Sequence, residues 1–281
     1  MPLQGRRCLV TGATSGLGEV TASALADLGA ETIIVSRDKE KCLSTVKRIQ
    51  DQTGNPAVSY FKADLSSQEE IRGFTEAVKK KYERLDVLVN NAGGFFWNRQ
   101  ESVDGIEMTF ALNHLNYFLV TNLLLDLLGE SSSARIINVT SGSHRSAEID
   151  FNDLQITKKY LHFAAYGKSK LANIYFTYEL ARRLKESRIT VNAVNPGFTA
   201  TNIAREGNLL GKIFMPLARY FAIPREQGAE TIIYLAASEE VEGISGKYFQ
   251  EKEPIQTSPL SYDVDIAKRL WSISEKLTGL K

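Results

Sequence analysis

The stretch "VTGATSGLGEV" (10–20) decides the fold. Ahead of it, "RRCLVTG" (6–12) has the length and apolar content of a buried strand. Behind it, "GLGEVTASALADLG" (16–29) spaces its apolar residues as a helix does and closes at Gly29. A strand that passes through a glycine-rich turn directly into a helix is the first half of a strand–helix–strand unit. The glycines, Gly12, Gly16 and Gly18, are spaced G-x-x-x-G-x-G, a variant of the spacing found where a backbone must approach a phosphate closely.

The rest of the chain repeats the unit. "ETIIVS" (31–36) is a strand, followed by a charged helix over 38–52. "VSYFKAD" (58–64), a helix over 67–82 and "LDVLVNNAG" (85–93) continue the alternation. A long apolar-periodic helix is expected over 103–129, then the strand "ARIINVTS" (134–141), a helix over 160–186 and "ITVNAVNPG" (189–197). After a break in the rhythm at 198–224 come a helix over 225–237, the short strand "GKYFQ" (246–250) and a last helix over 261–277. Continuously apolar strands separated by helices predict an α/β fold, a Rossmann-type doubly wound parallel sheet with helices on both faces. No repeat, low-complexity tract or linker divides the chain. A single domain over 1–281 is expected, with 198–224 as a flap on the substrate side.

Length and composition agree with this. At 281 residues, 43% hydrophobic and 24% charged, the chain suits a soluble globular domain with a substantial core. A net charge of +1 supplies no field for nucleic acid or an anionic membrane. The two cysteines, Cys8 and Cys42, cannot form a disulfide framework and belong to no metal-ligand cluster, which fits a reducing compartment. The first strand leaves no room for a signal peptide before it. The most apolar run, "FLVTNLLLDLL", is interrupted by Asn122 and Asp126 and falls short of a membrane span. The expected location is the cytoplasm.

The glycine turn is suited to a dinucleotide, whose pyrophosphate would meet backbone N–H groups and a helix N-terminus. Gly12, Thr14, Ser15, Gly16, Leu17 and Gly18 form that part of the expected cofactor site. The plain alternative is a turn kept glycine-rich for packing. At the end of the second strand, where an NAD-preferring fold carries a carboxylate, this chain has Ser36 and Arg37. A guanidinium suits a 2′-phosphate and a small hydroxyl leaves it space, so NADP, with NADPH preferred over NADH, is the expected cofactor. Otherwise Arg37 is a surface residue paired with Asp38. Asp64 and Leu65 end the third strand, where the carboxylate can accept from an adenine amino group. Asn90, Ala92 and Gly93 end the fourth, and Gly93 allows close backbone approach to the cofactor ribose.

Taken together, "TGATSGLG", "ADL", "NNAG", "NVTS", "YGKSK" and "NPGFTATN" resemble, in order and in context, the short-chain dehydrogenase/reductase family over nearly the whole chain. The segment between Ser141 and Tyr166 and the helix "YGKSKLANIYFTYELARRL" look most like its retinol-dehydrogenase and protochlorophyllide-reductase-like branch. The resemblance implies a catalytic set of Asn113, Ser141, Tyr166 and Lys170. It also implies that the lysine bonds the nicotinamide ribose and that Asn113 supports a water joining the lysine to solvent. At "NPGFTATN" it implies that Pro196 and Gly197 let the backbone reach the nicotinamide carboxamide, with Thr199 and Thr201 as hydroxyl contacts.

Independent chemistry supports part of this. Hydride delivery to a carbonyl carbon needs a proton for the developing alkoxide, and a phenol can give one. A free tyrosine has a pKa of about 10, and a nearby ammonium is expected to lower it. Tyr166 and Lys170, at i and i+4, share a helix face. Ser141, at a strand end, can polarise the substrate oxygen. Singly, Ser141 reads equally as a strand-end cap, Asn113 as a mid-helix polar residue and Pro196-Gly197 as a plain turn.

Phe95, Phe96 and Trp97, with Phe214, Met215, Tyr220 and Phe221 of the flap, point to a bulky apolar aldehyde, ketone or alcohol, retinoid-like or lipid-like. The same aromatics would equally pack on one another or on a second subunit, which leaves a homo-oligomer open. Lys212 and Arg219 would suit shallow membrane contact. No metal site is expected, because His114, His144 and His162 lack ligand spacing. The rival from another class is a catalytically silent NADP-binding regulator or scaffold, which would have no need of the four catalytic residues. Light-driven ring reduction, a third option, would call for cysteines near the site.

Overall fold

The computed structural model describes residues 2–197 and 223–280. Arg7–Thr11 (β1), Gly16–Asp27 (α1), Glu31–Ser36 (β2), Lys39–Thr53 (α2), Val58–Lys62 (β3), Gln68–Lys81 (α3) and Val87–Asn90 (β4) follow the expected alternation. Next come Met108–Phe110 (α4), a π-helical turn at Ala111–Leu115 and Asn116–Gly129 (α5). Ala134–Val139 (β5), His162–Arg183 (α6), Ile189–Val194 (β6) and Arg225–Ala237 (α7) lead to Tyr248–Gln250 (β7), Glu253–Ile255 (β8) and Val264–Thr278 (α8).

The strands form one sheet in the order β3-β2-β1-β4-β5-β6-β7-β8. All pairs are parallel except β7 with β8, which run antiparallel from Tyr248 opposite Ile255 to Gln250 opposite Glu253. Chain order reverses between β1 and β4, and the crevice at that point is where such sheets bind ligands.

Alternation along each strand divides the core. Leu9, Ile33, Leu88 and Ile136 point to one face with Phe74, Phe118 and Phe176; Cys8, Val10, Ile34 and Ile137 point to the other with Leu25, Ile232 and Leu235. Each such buried aliphatic side chain contributes about 1.5–3 kcal/mol. The last helix, α8, lies over α5 and α6. Trp271 meets Phe118 edge-on at 4.9 Å and stacks on Phe176 at 5.8 Å, and the Arg183 guanidinium covers its ring at 4.1 Å.

The structure departs from expectation within the long helix, which starts late and is interrupted by the π-helical turn, and at the sheet edge. The helix expected from residue 103 begins at Met108, because Glu107 turns back and accepts from the N–H groups of Thr109 and Phe110, both at 2.8 Å. The strand β8, absent from the expected order, is a three-residue antiparallel edge following a tight turn. Among the described residues, no helix is long and apolar enough to cross a membrane. Thr199, Thr201 and the flap residues Lys212, Phe214, Met215, Arg219, Tyr220 and Phe221 lie outside the described residues.

Candidate active site

The turn from β1 into α1 is shaped by backbone that only glycine suits. Gly12 has φ +66, and a Cβ there would come within 2.8 Å of the Ala92 Cα. A Cβ on Gly18 would meet Asn91 and the Gly12 carbonyl. Ser15, the extended N-cap of α1, makes no side-chain capping bond, and α1 begins with Gly16 and Leu17, both buried. Its first N–H groups are therefore left for another acceptor. Thr11 ties this turn to the end of β4, its hydroxyl accepting from the N–H groups of Asn91 (2.9 Å) and Ala92 (3.0 Å). Asn91 returns the tie by donating to the Thr11 carbonyl at 2.9 Å.

At the end of β2, the hydroxyls of Ser36 and Thr14 lie 3.0 Å apart, bringing the two cofactor segments together. Arg37 beside them is exposed. Asp38, its expected alternative partner, is engaged by Lys41 through the main-chain N–H at 3.1 Å and an ion pair at 3.0 Å. One oxygen of Asp64 accepts from both the N–H and the hydroxyl of Ser66, at 2.9 and 2.7 Å, and Leu65 is buried. Asn90 turns inward: its amide donates to Thr121 and Asn138, so the side chain belongs to the core. These residues, the glycine cradle and the exposed guanidinium included, fit a phosphorylated dinucleotide.

The catalytic candidates converge beside this cradle. Asn113 sits in the π-helical turn and grips Gly94 from both sides, accepting from its N–H at 2.7 Å and donating to its carbonyl at 3.0 Å. It also donates to the Ser169 hydroxyl at 3.0 Å, and Ser169 in turn bonds the Tyr166 carbonyl at 2.7 Å. A Cβ on Gly93 would lie 3.0 Å from the Asn113 Oδ1 and 3.8 Å from the Lys170 Nζ, which locates the three residues against one another. Lys170 donates to the Val139 carbonyl at 3.1 Å, with its Nζ 5.5 Å from the Tyr166 ring centre. Ser141 does cap the short 3-10 turn Gly142–Ser146, accepting from the Ser143 N–H at 3.3 Å, and its hydroxyl also acts on the Tyr166 phenol. Pro196 and Gly197 follow β6, with Gly197 at φ +77.

The expected acidification of Tyr166 is corrected by the geometry. Burial pushes the phenol up to about 12, against a smaller downward pull from the Ser141 hydroxyl. Burial likewise brings Lys170 down to about 8, which leaves the ammonium mostly charged at neutral pH, yet the desolvation of the phenol outweighs its pull.

Several residues of the site gave little signal in the sequence. Tyr117 is fully buried behind Lys170, and its hydroxyl shares the Val139 carbonyl with the lysine, at 3.3 Å. Its place four residues after Asn113, on the same helix face, was the available clue. Thr11 and Ser169 resemble ordinary strand and helix residues. Around the phenol stands an aromatic wall: Phe95 lies 5.6 Å from Tyr166, 5.3 Å from Trp97 and 5.2 Å from Phe163 between ring centres, and His162 adjoins Trp97 at 4.8 Å. Phe96, expected with them, contributes its carbonyl as acceptor for the Tyr160 hydroxyl at 3.0 Å. No cluster of metal-ligating side chains occurs among the described residues.

The sequence model of the short chain dehydrogenase family matches residues 6–209. Human retinol dehydrogenase 13 is 41% identical over 285 residues, covering 99% of this chain and 86% of its own. An uncharacterized protein from Mycobacterium Paratuberculosis superposes with a TM-score of 0.81 at 31% identity, covering 98% of this chain and 94% of its own. An RhlG/NADP active-site complex from Pseudomonas aeruginosa gives a TM-score of 0.69 at 31% identity, covering 88% of this chain and 94% of its own.

Proposed function

The chain belongs to the short-chain dehydrogenase family, in its retinol-dehydrogenase-like branch, and on that premise we propose that it uses NADP to interconvert a bulky apolar carbonyl and its alcohol, with Tyr166 as the acid/base. Membership makes it an NAD(P)-dependent oxidoreductase acting on CH–OH groups. The observation that carries the finer reading is the meeting of Tyr166, Lys170, Ser141 and Asn113 beside the glycine cradle at the switch point of the sheet.

The cofactor supplies or accepts the hydride when bound. Gly12, Thr14, Ser15, Gly16, Leu17 and Gly18 would hold its phosphates, and Arg37 next to Ser36 would meet the 2′-phosphate. Asp64, Leu65, Ala92, Gly93, Pro196, Gly197, Thr199 and Thr201 are proposed to complete the cofactor site, with Asn90 contributing through its main chain because its side chain is held in the core. Ser141 donates to the substrate oxygen and Tyr166 gives it a proton in reduction. A phenol held at about 12 stays protonated at neutral pH and is ready as the acid. Lys170, fixed by the Val139 carbonyl, supplies positive charge beside the phenol as the proton leaves. Phe95, Trp97 and Phe163 favour an apolar substrate body, retinoid-like or lipid-like, which accords with the name of the retinol dehydrogenase relative.

The test is NADPH oxidation against a panel of apolar aldehydes and ketones. Wild type is expected to turn over at least one, and Tyr166→Phe to lose at least 100-fold in kcat with NADPH binding intact, in line with the ~10²–10⁴ typical of acid–base groups. Turnover retained by the mutant rejects Tyr166 as the acid; no turnover across the panel favours a silent NADP-binding protein. For the cofactor, Arg37→Asp is expected to reverse the preference from NADPH to NADH in titrations of both. An unchanged preference would remove Arg37 from the site.

A further inference from the structure

A buried polar chain connects the last helix to the π-helical turn that carries Asn113. The Asn173 amide, on α6, donates to the Asn113 carbonyl at 2.8 Å. With its amide nitrogen so used, Asn173 turns its Oδ1 to His114 Nδ1, 3.1 Å away. An amide oxygen only accepts, so Nδ1 carries the ring proton. His114 Nε2 is then an acceptor, and the Ser274 hydroxyl of α8 lies 3.0 Å from it. That hydroxyl stands between the ring and the Leu270 carbonyl at 2.8 Å, and in this tautomer its proton goes to the ring. Asn113 and Asn173 are each 0% exposed, His114 1% and Ser274 0%, so no solvent competes for any of these bonds.

The π-turn gives this chain its purpose. A π-turn holds one residue more than an α-turn of the same span, and it can slide along a helix unless something pins it. Sliding by one residue would rotate Asn113 by ~100° about the helix axis, off Gly94 and Ser169. We propose that Asn173 is a positioning residue of the active site: it pins the π-turn through the Asn113 carbonyl and is itself oriented by His114 and by Ser274 of α8. This rests on the reading that Asn113 belongs to the active site. It makes α8, which contributes nothing to the cofactor cradle, a determinant of turnover.

Asn173→Ala, Ser274→Ala and the double variant test this by two readouts. The first, independent of activity, is amide hydrogen exchange at Gly94, whose N–H is bonded to Asn113, with Ile136 in β5 as the internal control. Asn173→Ala is expected to speed exchange at Gly94 more than tenfold with Ile136 unchanged, and Ser274→Ala to act in the same direction more weakly. The second is steady-state kinetics on a carbonyl active in the panel. There kcat is expected to fall at least tenfold for Asn173→Ala and about twofold to fivefold for Ser274→Ala, with KM within threefold. Because Ser274 acts through Asn173, the double variant should match Asn173→Ala alone. Unchanged exchange at Gly94 in folded Asn173→Ala overturns the proposal, as does a double variant whose losses add in full. Should Asn173→Ala fail to fold, Ser274→Ala decides by the same readouts: wild-type exchange and kcat overturn it. A wild type with no turnover rejects the proposed activity, and the exchange arm still judges the pinning.

Discussion

Lys170 and Tyr166 have been moved in opposite senses by one cause, burial: the ammonium down to about 8 and the phenol up to about 12. The sign of the consequence follows. In the proposed mechanism reduction needs the phenol protonated and the lysine charged, and of the two only the lysine changes state between about pH 6 and 10. Carbonyl reduction should therefore hold from about pH 6 to 7 and fall as pH rises through about 8, approaching tenfold per unit. In Lys170→Arg, whose guanidinium keeps its charge, the break should vanish. Rate profiles across this range check it, and a wild-type profile flat to about pH 9.5 would count against Lys170 as the titrating group. At this scale the sequence displayed residue types well and environments poorly. The Tyr166/Lys170 pair was visible from its spacing, whereas the direction of the Tyr166 shift depends on burial that no spacing reveals. Asn90 shows the same limit, since its motif was legible but its inward bonds to Thr121 and Asn138 were not. Asn173 stood in plain view as a polar residue inside "KLANIYF", yet its partner is 60 residues away.

Among the elements, those with a strong period lie within three residues of their expected bounds, and the departures have local causes. The helix expected over 103–129 starts too early because apolar residues keep helical spacing across 103–107. There Gly105 at φ +72 and the Glu107 carboxylate cap set the true beginning at Met108. The π-turn leaves the count of apolar residues almost unchanged, so periodicity passes over it. β8 is too short to show alternation and owes its existence to pairing with β7. The helix α8 was legible as an amphipathic segment, but not what its apolar stripe would cover.

For the whole molecule, the parallel sheet and its two helical layers followed from strands apolar on both faces, and the crevice between β1 and β4 follows from that topology. The single-domain reading leads to a measurable expectation. Trp97 stands in the wall beside Tyr166, and Trp271, on the inner face of α8, is packed on Phe118 and Phe176. If the chain is one cooperative unit, tryptophan fluorescence of Trp97→Phe and of Trp271→Phe should report the same urea midpoint, each coincident with that variant's own loss of helical circular dichroism. Midpoints that separate by more than about 0.5 M would divide the molecule into independently unfolding parts.

The position of α8 also bears on how the protein is made. Synthesis runs from the N-terminus, so α5 and α6 leave the ribosome before the helix that covers them. Until Trp271 and Ser274 emerge, Phe118 and Phe176 lack their lid and His114 lacks the hydroxyl on its Nε2. Until α8 follows, the nascent chain carries an apolar face open to chaperones, and on the proposal above the Asn113 turn is pinned only once that face is covered.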